Sequence, residues 1–216
     1  MRLATIGIIM AILPSLAIAQ QQPTATNLYL RGDRIKPLTI EQLTTPEQKL
    51  MVEELLASGR GSEATFNSLL RSPEIGRLSI QLGVQLRAHS SLPKPLFELA
   101  VLRTLRFWTA QFEWGLHHQV ALTAGLSPAI IQSIANNKRP ASMQPEQAAI
   151  YNFADELLRT RHVSDATFKA VEDRFGDRGV VDLTALVGYY SMVSAIMEVD
   201  RYPLRPGDKP ELKELK

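Results

Sequence analysis

Helix-start signals recur along this chain at intervals that leave no obvious room for strands. Thr45 precedes Pro46 and stands three residues ahead of Gln48, which is a capping box with proline in the first turn. Ser72-Pro73 and Ser127-Pro128 repeat the serine cap followed by proline, Pro145 opens another helix, and Ser164 caps the next. Gly59, Gly125 and Gly176 fall where helices should stop. Between these marks the apolar residues keep helical spacing, as at Leu183, Leu186, Val187, Tyr190, Ser194 and Met197. No run shows the period of two that a half-buried strand requires. The chain is therefore expected to be all-α, a bundle of about seven or eight helices. With Cys 0 it can form no disulfide, so a hydrophobic content of 45% must supply the packed core that holds it together.

The ends of the chain differ from this middle. Residues 1–19 combine Arg2, an apolar run from Ile6 to Leu16 and the small-residue ending Ala17-Ile18-Ala19, the pattern of a secretory signal peptide cleaved after Ala19. The run is shorter than the roughly 20 residues that cross a bilayer and contains Pro14, so no membrane attachment is expected after cleavage. The protein is accordingly expected to be exported, to the periplasm or the medium. Residues 20–40 are polar and aperiodic and read as an extended arm, a linker or a segment laid over a neighbour. Its Arg31-Gly32-Asp33 tripeptide is a chance match to an adhesion motif. Residues 41–202 form the helical domain, and residues 203–216 form a tail rich in Pro, Lys and Glu that frays or wraps a partner subunit. Lys+Arg 24 against Asp+Glu 22, with no basic run, excludes a nucleic-acid surface. The last long helix, about Asp182 to Glu198, is almost free of charge; Gly188, Ser191 and Ser194 suit close packing, so it is expected in the core or at a subunit interface.

Within the apolar middle one carboxylate stands alone. Glu113 is the only full charge between Arg106 and Lys138, surrounded in sequence by Phe107, Trp108, Phe112, Trp114, Leu116, Val120 and Leu122. Desolvating it is costly unless it is paired or used. His117 follows one helical turn later, on the same face and within proton-exchange reach. A second carboxylate, Glu98, sits among Leu96, Phe97, Leu99, Ala100, Val101 and Leu102, with Arg103 off its face. If Pro95 to Phe107 and Ala110 to Ala124 are adjacent antiparallel helices, Glu98 faces Glu113 and His117 across the pair. An acid, an imidazole and another acid then share one apolar groove.

The stretch from Phe97 to Ser127, FELAVLRTLRFWTAQFEWGLHHQVALTAGLS, resembles the carboxymuconolactone decarboxylase family, which includes the AhpD-type alkylhydroperoxidases. The resemblance rests on the glutamate opening the first helix, Glu113-Trp114 and His117 in the second, Ala121 and Ala124, and the terminator Gly125-Leu126-Ser127. It implies an AhpD-like helical bundle, homo-oligomers that are usually trimers or hexamers, and a small-molecule substrate. The peroxidase branch looks like Cys-x-x-Cys followed by histidine. In register from His117 those thiols fall at Ala110 and Glu113, so thiol peroxidase chemistry is excluded here.

The decarboxylase branch uses neither thiol nor known metal, so similarity implies cofactor-free lyase chemistry on a small carboxylated lactone, with no metal. His117 is then the general acid, Glu113 orients its ring and Glu98 serves as a second relay. Arg103 or Arg106 binds the substrate carboxylates, and Trp114 lines a bulkier or more aromatic pocket. The export signal sets the substrate apart from the intracellular intermediate of the known decarboxylase. Bland alternatives stay open: Glu113 and His117 as a buried structural pair, Glu98 as an inter-helix hydrogen-bond partner, Trp108 and Trp114 as core residues, and the whole as a non-catalytic binding or scaffold protein. His118 points about 100° from His117 and reads as a packing or polar-face residue, and His89 and His162 as solvated helix-end residues.

Overall fold

A computed structural model describes residues 30–58 and 65–215. The proposed leader, the start of the arm and Gly59 lie outside the described residues. Among those described there are eight α-helices and no strand: α1 Pro46–Ala57, α2 Phe66–Leu69, α3 Pro73–His89, α4 Lys94–Trp108, α5 Gln111–Thr123, α6 Pro128–Ala135, α7 Pro145–Thr160 and α8 Asp165–Asp200. The Thr45 capping box forms in full, and Ser164 accepts from Thr167 N. Ser72 and Ser127 precede their helices without a side-chain cap, so the proline after each marks the start instead.

Helix α4 is the axle of the bundle. Every residue from Leu96 to Arg106 is buried, because α5, α6, α7 and α8 all pack on it. It reverses into α5 within two residues. Thr109 takes a left-handed φ of 54°, with its N–H donating to Arg106 O (3.2 Å) and that of Ala110 to Leu105 O (3.0 Å). A β-branched residue in that region carries strain of about 1 kcal/mol, accepted here for a turn tight enough to lay α5 directly on α4. At the other end of α5, Gly125 (φ 89°) closes the helix as its sequence position indicates.

The expected final helix is longer than its charge-free stretch. Gly176 (φ 66°, ψ −179°) is non-helical and ends the first limb of α8 where its sequence position indicates; a second limb starts across the kink and runs on to Asp200. Its second limb is long and apolar enough to cross a membrane by composition, yet Leu183, Leu186, Val187, Tyr190, Val193 and Met197 pack into the main core. A second core, built from Leu43, Met51, Val52, Leu55, Phe66, Leu69, Leu70 and Ile80, holds α1, α2 and α3 together, and Ile196 of α8 packs against it.

The described part of the arm lies on its own chain. Asp200, fully buried at the end of α8, accepts the backbone N–H groups of Asp33 (3.2 Å) and Ile35 (2.6 Å), and Ser68 Oγ reaches it at 3.4 Å. Asn67 donates to Ile35 O and accepts from Leu38 N. Gly32 passes so close to Asn67 and Asp200 that a Cβ there would overlap both, which embeds the Arg31-Gly32-Asp33 tripeptide in the fold. The tail is also docked on its own chain: Leu212 is buried in the main core, and its N–H and that of Glu211 donate to Gln111 Oε1. Replacing Asp200 by Ala strands those arm donors and is expected to cost about 2–4 kcal/mol. Chemical denaturation reads the loss, and limited proteolysis should show new cleavage within residues 31–38.

Candidate active site

Three of the residues singled out in the sequence come together where α5 lies on α4. His117 Nδ1 is 2.7 Å from Glu98 Oε2, and His117 Nε2 is 3.7 Å from Glu113 Oε2. Glu98 is 1% exposed, Glu113 6% and His117 8%. With the carboxylate as acceptor in the short contact, Nδ1 is the donor and Nε2 is the nitrogen on the Glu113 side. At 3.7 Å the Nε2 to Glu113 distance exceeds a hydrogen bond. The two carboxylates therefore address opposite edges of one ring, Glu98 by a hydrogen bond and Glu113 at ion-pair distance one helical turn away.

Glu98 Oε1 has no hydrogen-bond partner, and the nearest cation is Lys94 Nζ at 3.8 Å, one turn earlier on α4. Lys94 stands four residues before Glu98, at the i, i+4 spacing that brings side chains together on one helix face. Lys94 also lies over the Phe97 ring, 5.6 Å from its centre, and borders a cleft of about 360 Å³ with Gln119, Val120, Thr123 and Ala124.

Two further residues join the cluster without a signal in the sequence. The Tyr190 ring, from α8, meets the His117 ring edge-on, centroids 4.9 Å apart and planes at 87°. Its hydroxyl accepts from Arg87 Nη1 of α3 at 2.8 Å. Burial pushes the Tyr190 phenol well above its usual range, Arg87 opposes the shift, and Glu113, Glu98 and Tyr189 reinforce it, so the phenol stays neutral. Burial works against the Arg87 guanidinium, but Tyr190 and Tyr189 outweigh it and hold its pKa above the ordinary arginine value.

The remaining sequence-selected residues are engaged elsewhere. Arg103 pairs with Asp155 of α7 through Nε (2.8 Å) and Nη2 (2.6 Å), and Arg106 donates to the Lys213 carbonyl at 2.6 Å. Both side chains are buried: five and eight residues beyond Glu98, they leave α4 toward α7 and the tail, with Arg103 Nη1 and Arg106 Nε and Nη1 left without a hydrogen-bond partner. Burial, then the nearby Arg103 charge, lowers the Arg106 pKa, and Glu214 offsets part of it. Trp114 is fully buried and donates Nε1 to Glu211 Oε2 at 3.1 Å, a core position rather than a pocket lining. His118 Nδ1 meets the same Glu211 oxygen at 2.6 Å, so the polar-face residue helps hold the tail.

The class defined by this architecture is a cysteine-free helical bundle with a carboxylate, an imidazole and a second carboxylate at the junction of its central helices. No family model matches the sequence, and no curated protein matches it significantly. Among solved structures it is similar to a protein of unknown function from Agrobacterium tumefaciens, described as a "putative antioxidant defence protein AhpD", with 19% identity, a TM-score of 0.58, and coverage of 66% of this chain and 99% of that one. The chain thus has the AhpD-like fold, in keeping with the family resemblance of its central motif.

Arg103 and Asp155 serve as a test of the reassigned roles. Asp155→Ala leaves a buried guanidinium without its counter-charge and is expected to cost roughly 3 kcal/mol. The double variant Arg103→Met, Asp155→Ala should recover part of that loss in urea denaturation. Full stability in Asp155→Ala would contradict the structural role.

Proposed function

We propose that this protein is an acid-base enzyme of the lyase type, acting without a cofactor on a small carboxylated lactone or a related unsaturated acid. The observation that carries the reading is the 2.7 Å contact between Glu98 and His117 Nδ1, which leaves Nε2 turned toward Glu113 at 3.7 Å. In such a reaction the bond to the departing carboxylate breaks, carbon dioxide leaves, and its electron pair enters the conjugated lactone. Protonated His117 then gives its Nε2 proton to carbon and is reprotonated from solvent. Glu98 holds the imidazolium, and Glu113, at the position where a thiol-using relative carries cysteine, orders the reacting atom or a water. Lys94 is the cation placed to meet a substrate carboxylate, since Arg103 and Arg106 are committed within the bundle.

Replacing His117 by Gln is expected to abolish turnover, by at least about 10²-fold, in a screen of carboxylated lactones, with the thermal midpoint close to that of the parent. A large loss of folding with unchanged activity per folded molecule would defeat the catalytic role. One observation favours a second reading, a non-catalytic binding or scaffold protein: Glu98 is 1% exposed and all three groups are buried. Under that reading Glu98→Gln and His117→Gln cost stability alone.

Two settings complete the proposal. The leader-like residues 1–19 support export to the periplasm or medium. Ile75, Leu78 and Leu82 form an exposed apolar stripe at helical spacing on α3, which supports a homo-oligomer, a trimer or hexamer by family resemblance. Light scattering should give a mass above one chain, and Leu78→Glu should lower it.

A further inference from the structure

We propose that Tyr190, anchored by Arg87, is a positioning residue that fixes the ring plane of His117 so that Nδ1 meets Glu98 and Nε2 faces Glu113. The inference rests on the reading of His117 as the proton carrier. An imidazole held at one edge by a single hydrogen bond is free to swing about that bond. What prevents it here is a second contact at a right angle. Tyr190 supplies this with its ring, edge-on to His117 at 4.9 Å, an arrangement aromatic quadrupoles favour. The ring of Tyr190 is set in turn: Phe97 meets it edge-on at 6.4 Å, Tyr189 at 5.2 Å, and Arg87 Nη1 holds its hydroxyl at 2.8 Å.

The backbone is shaped to allow this. Gly83, one turn before Arg87 on α3, lies so close to Tyr189 that a Cβ would overlap its hydroxyl and approach Arg87 Nη2. A side chain at position 83 would displace both anchors together. The groups around His117 are Glu98 and Lys94 from α4, Glu113 from its own helix, Tyr190 and Tyr189 from α8, and Arg87 from α3 behind the tyrosines. Lys94 is half-exposed and screened, whereas Arg87 is enclosed and its charge is met by the Tyr190 and Tyr189 hydroxyls.

The test reads the His117 ring directly, by ¹⁵N and ¹H NMR of the full chain, with His117→Gln assigning the signals. In the parent a single Nδ1–H tautomer with a slowly exchanging proton is expected. Tyr190→Leu should raise the exchange rate of that proton by roughly five- to tenfold, the factor that one aromatic pair contact represents. Arg87→Met and Tyr190→Phe each remove the bond that anchors the Tyr190 ring, and should raise the same exchange rate by a smaller factor, roughly two- to fivefold. Arg87→Lys, which keeps a donor, should return the rate toward the parent value. These readouts need no substrate, so they stand apart from the outcome of the lactone screen. An unchanged exchange rate in Arg87→Met and Tyr190→Phe, both folded by circular dichroism, would overturn the proposal. Should Tyr190→Leu fail to fold, those two variants decide it alone.

Discussion

Helix α4 carries three ionisable side chains into the centre of the bundle, and each is met by a different element. Glu98 meets His117 on α5, Arg103 meets Asp155 on α7, and Arg106 meets the Lys213 carbonyl in the tail. A fully buried helix with only apolar side chains could rotate or slide against its neighbours at modest cost, since hydrophobic burial has no direction. Charges in that position remove the freedom, because each wrong register leaves an unpaired ion in a medium that cannot solvate it. The same residues therefore specify how α5, α7 and the tail are placed around the axle. That the tail docks back on α4 and α5 instead of fraying follows from Arg106 and Gln111, two polar groups that need a backbone to bind.

Much of this was legible in the sequence. Proline and serine at the helix starts and Gly125 after α5 mark real boundaries, because each depends on backbone geometry local to a few residues. Glu98, Glu113 and His117 were also legible, as polar groups in apolar runs whose spacing and hairpin pairing bring them together. What could not be read were contacts across large separations. Arg87 and Tyr190 are 103 residues apart and carry no local irregularity. Arg103 and Arg106 looked like free cations because their partners, Asp155 and the tail, come from distant segments. The docking of residues 31–38 on their own chain was hidden for the same reason: their partner Asp200 lies at the far end of α8, 165 residues from Ile35.

Glu113 shows how one position can separate fold from chemistry. A carboxylate there is acceptor-only and cannot carry out thiol redox steps, yet its distance of 3.7 Å from Nε2 keeps it from closing the site with a hydrogen bond. The two carboxylates thus hold the ring unequally: Glu98 binds Nδ1 at 2.7 Å, and Glu113 stands 3.7 Å from Nε2, within reach of an ion pair when the imidazole is charged but beyond a hydrogen bond.

The same asymmetry links the site to the rest of the bundle. Glu98 holds the ring at one nitrogen, and the face of the ring is met from a third helix, α8, whose Tyr190 lies edge-on to it at 4.9 Å. The long apolar stretch of α8 packs Leu183, Leu186, Val187, Val193 and Met197 into the main core, and that packing fixes the level at which Tyr190 meets His117. The most polar cluster of the chain is therefore placed by one of its most apolar segments.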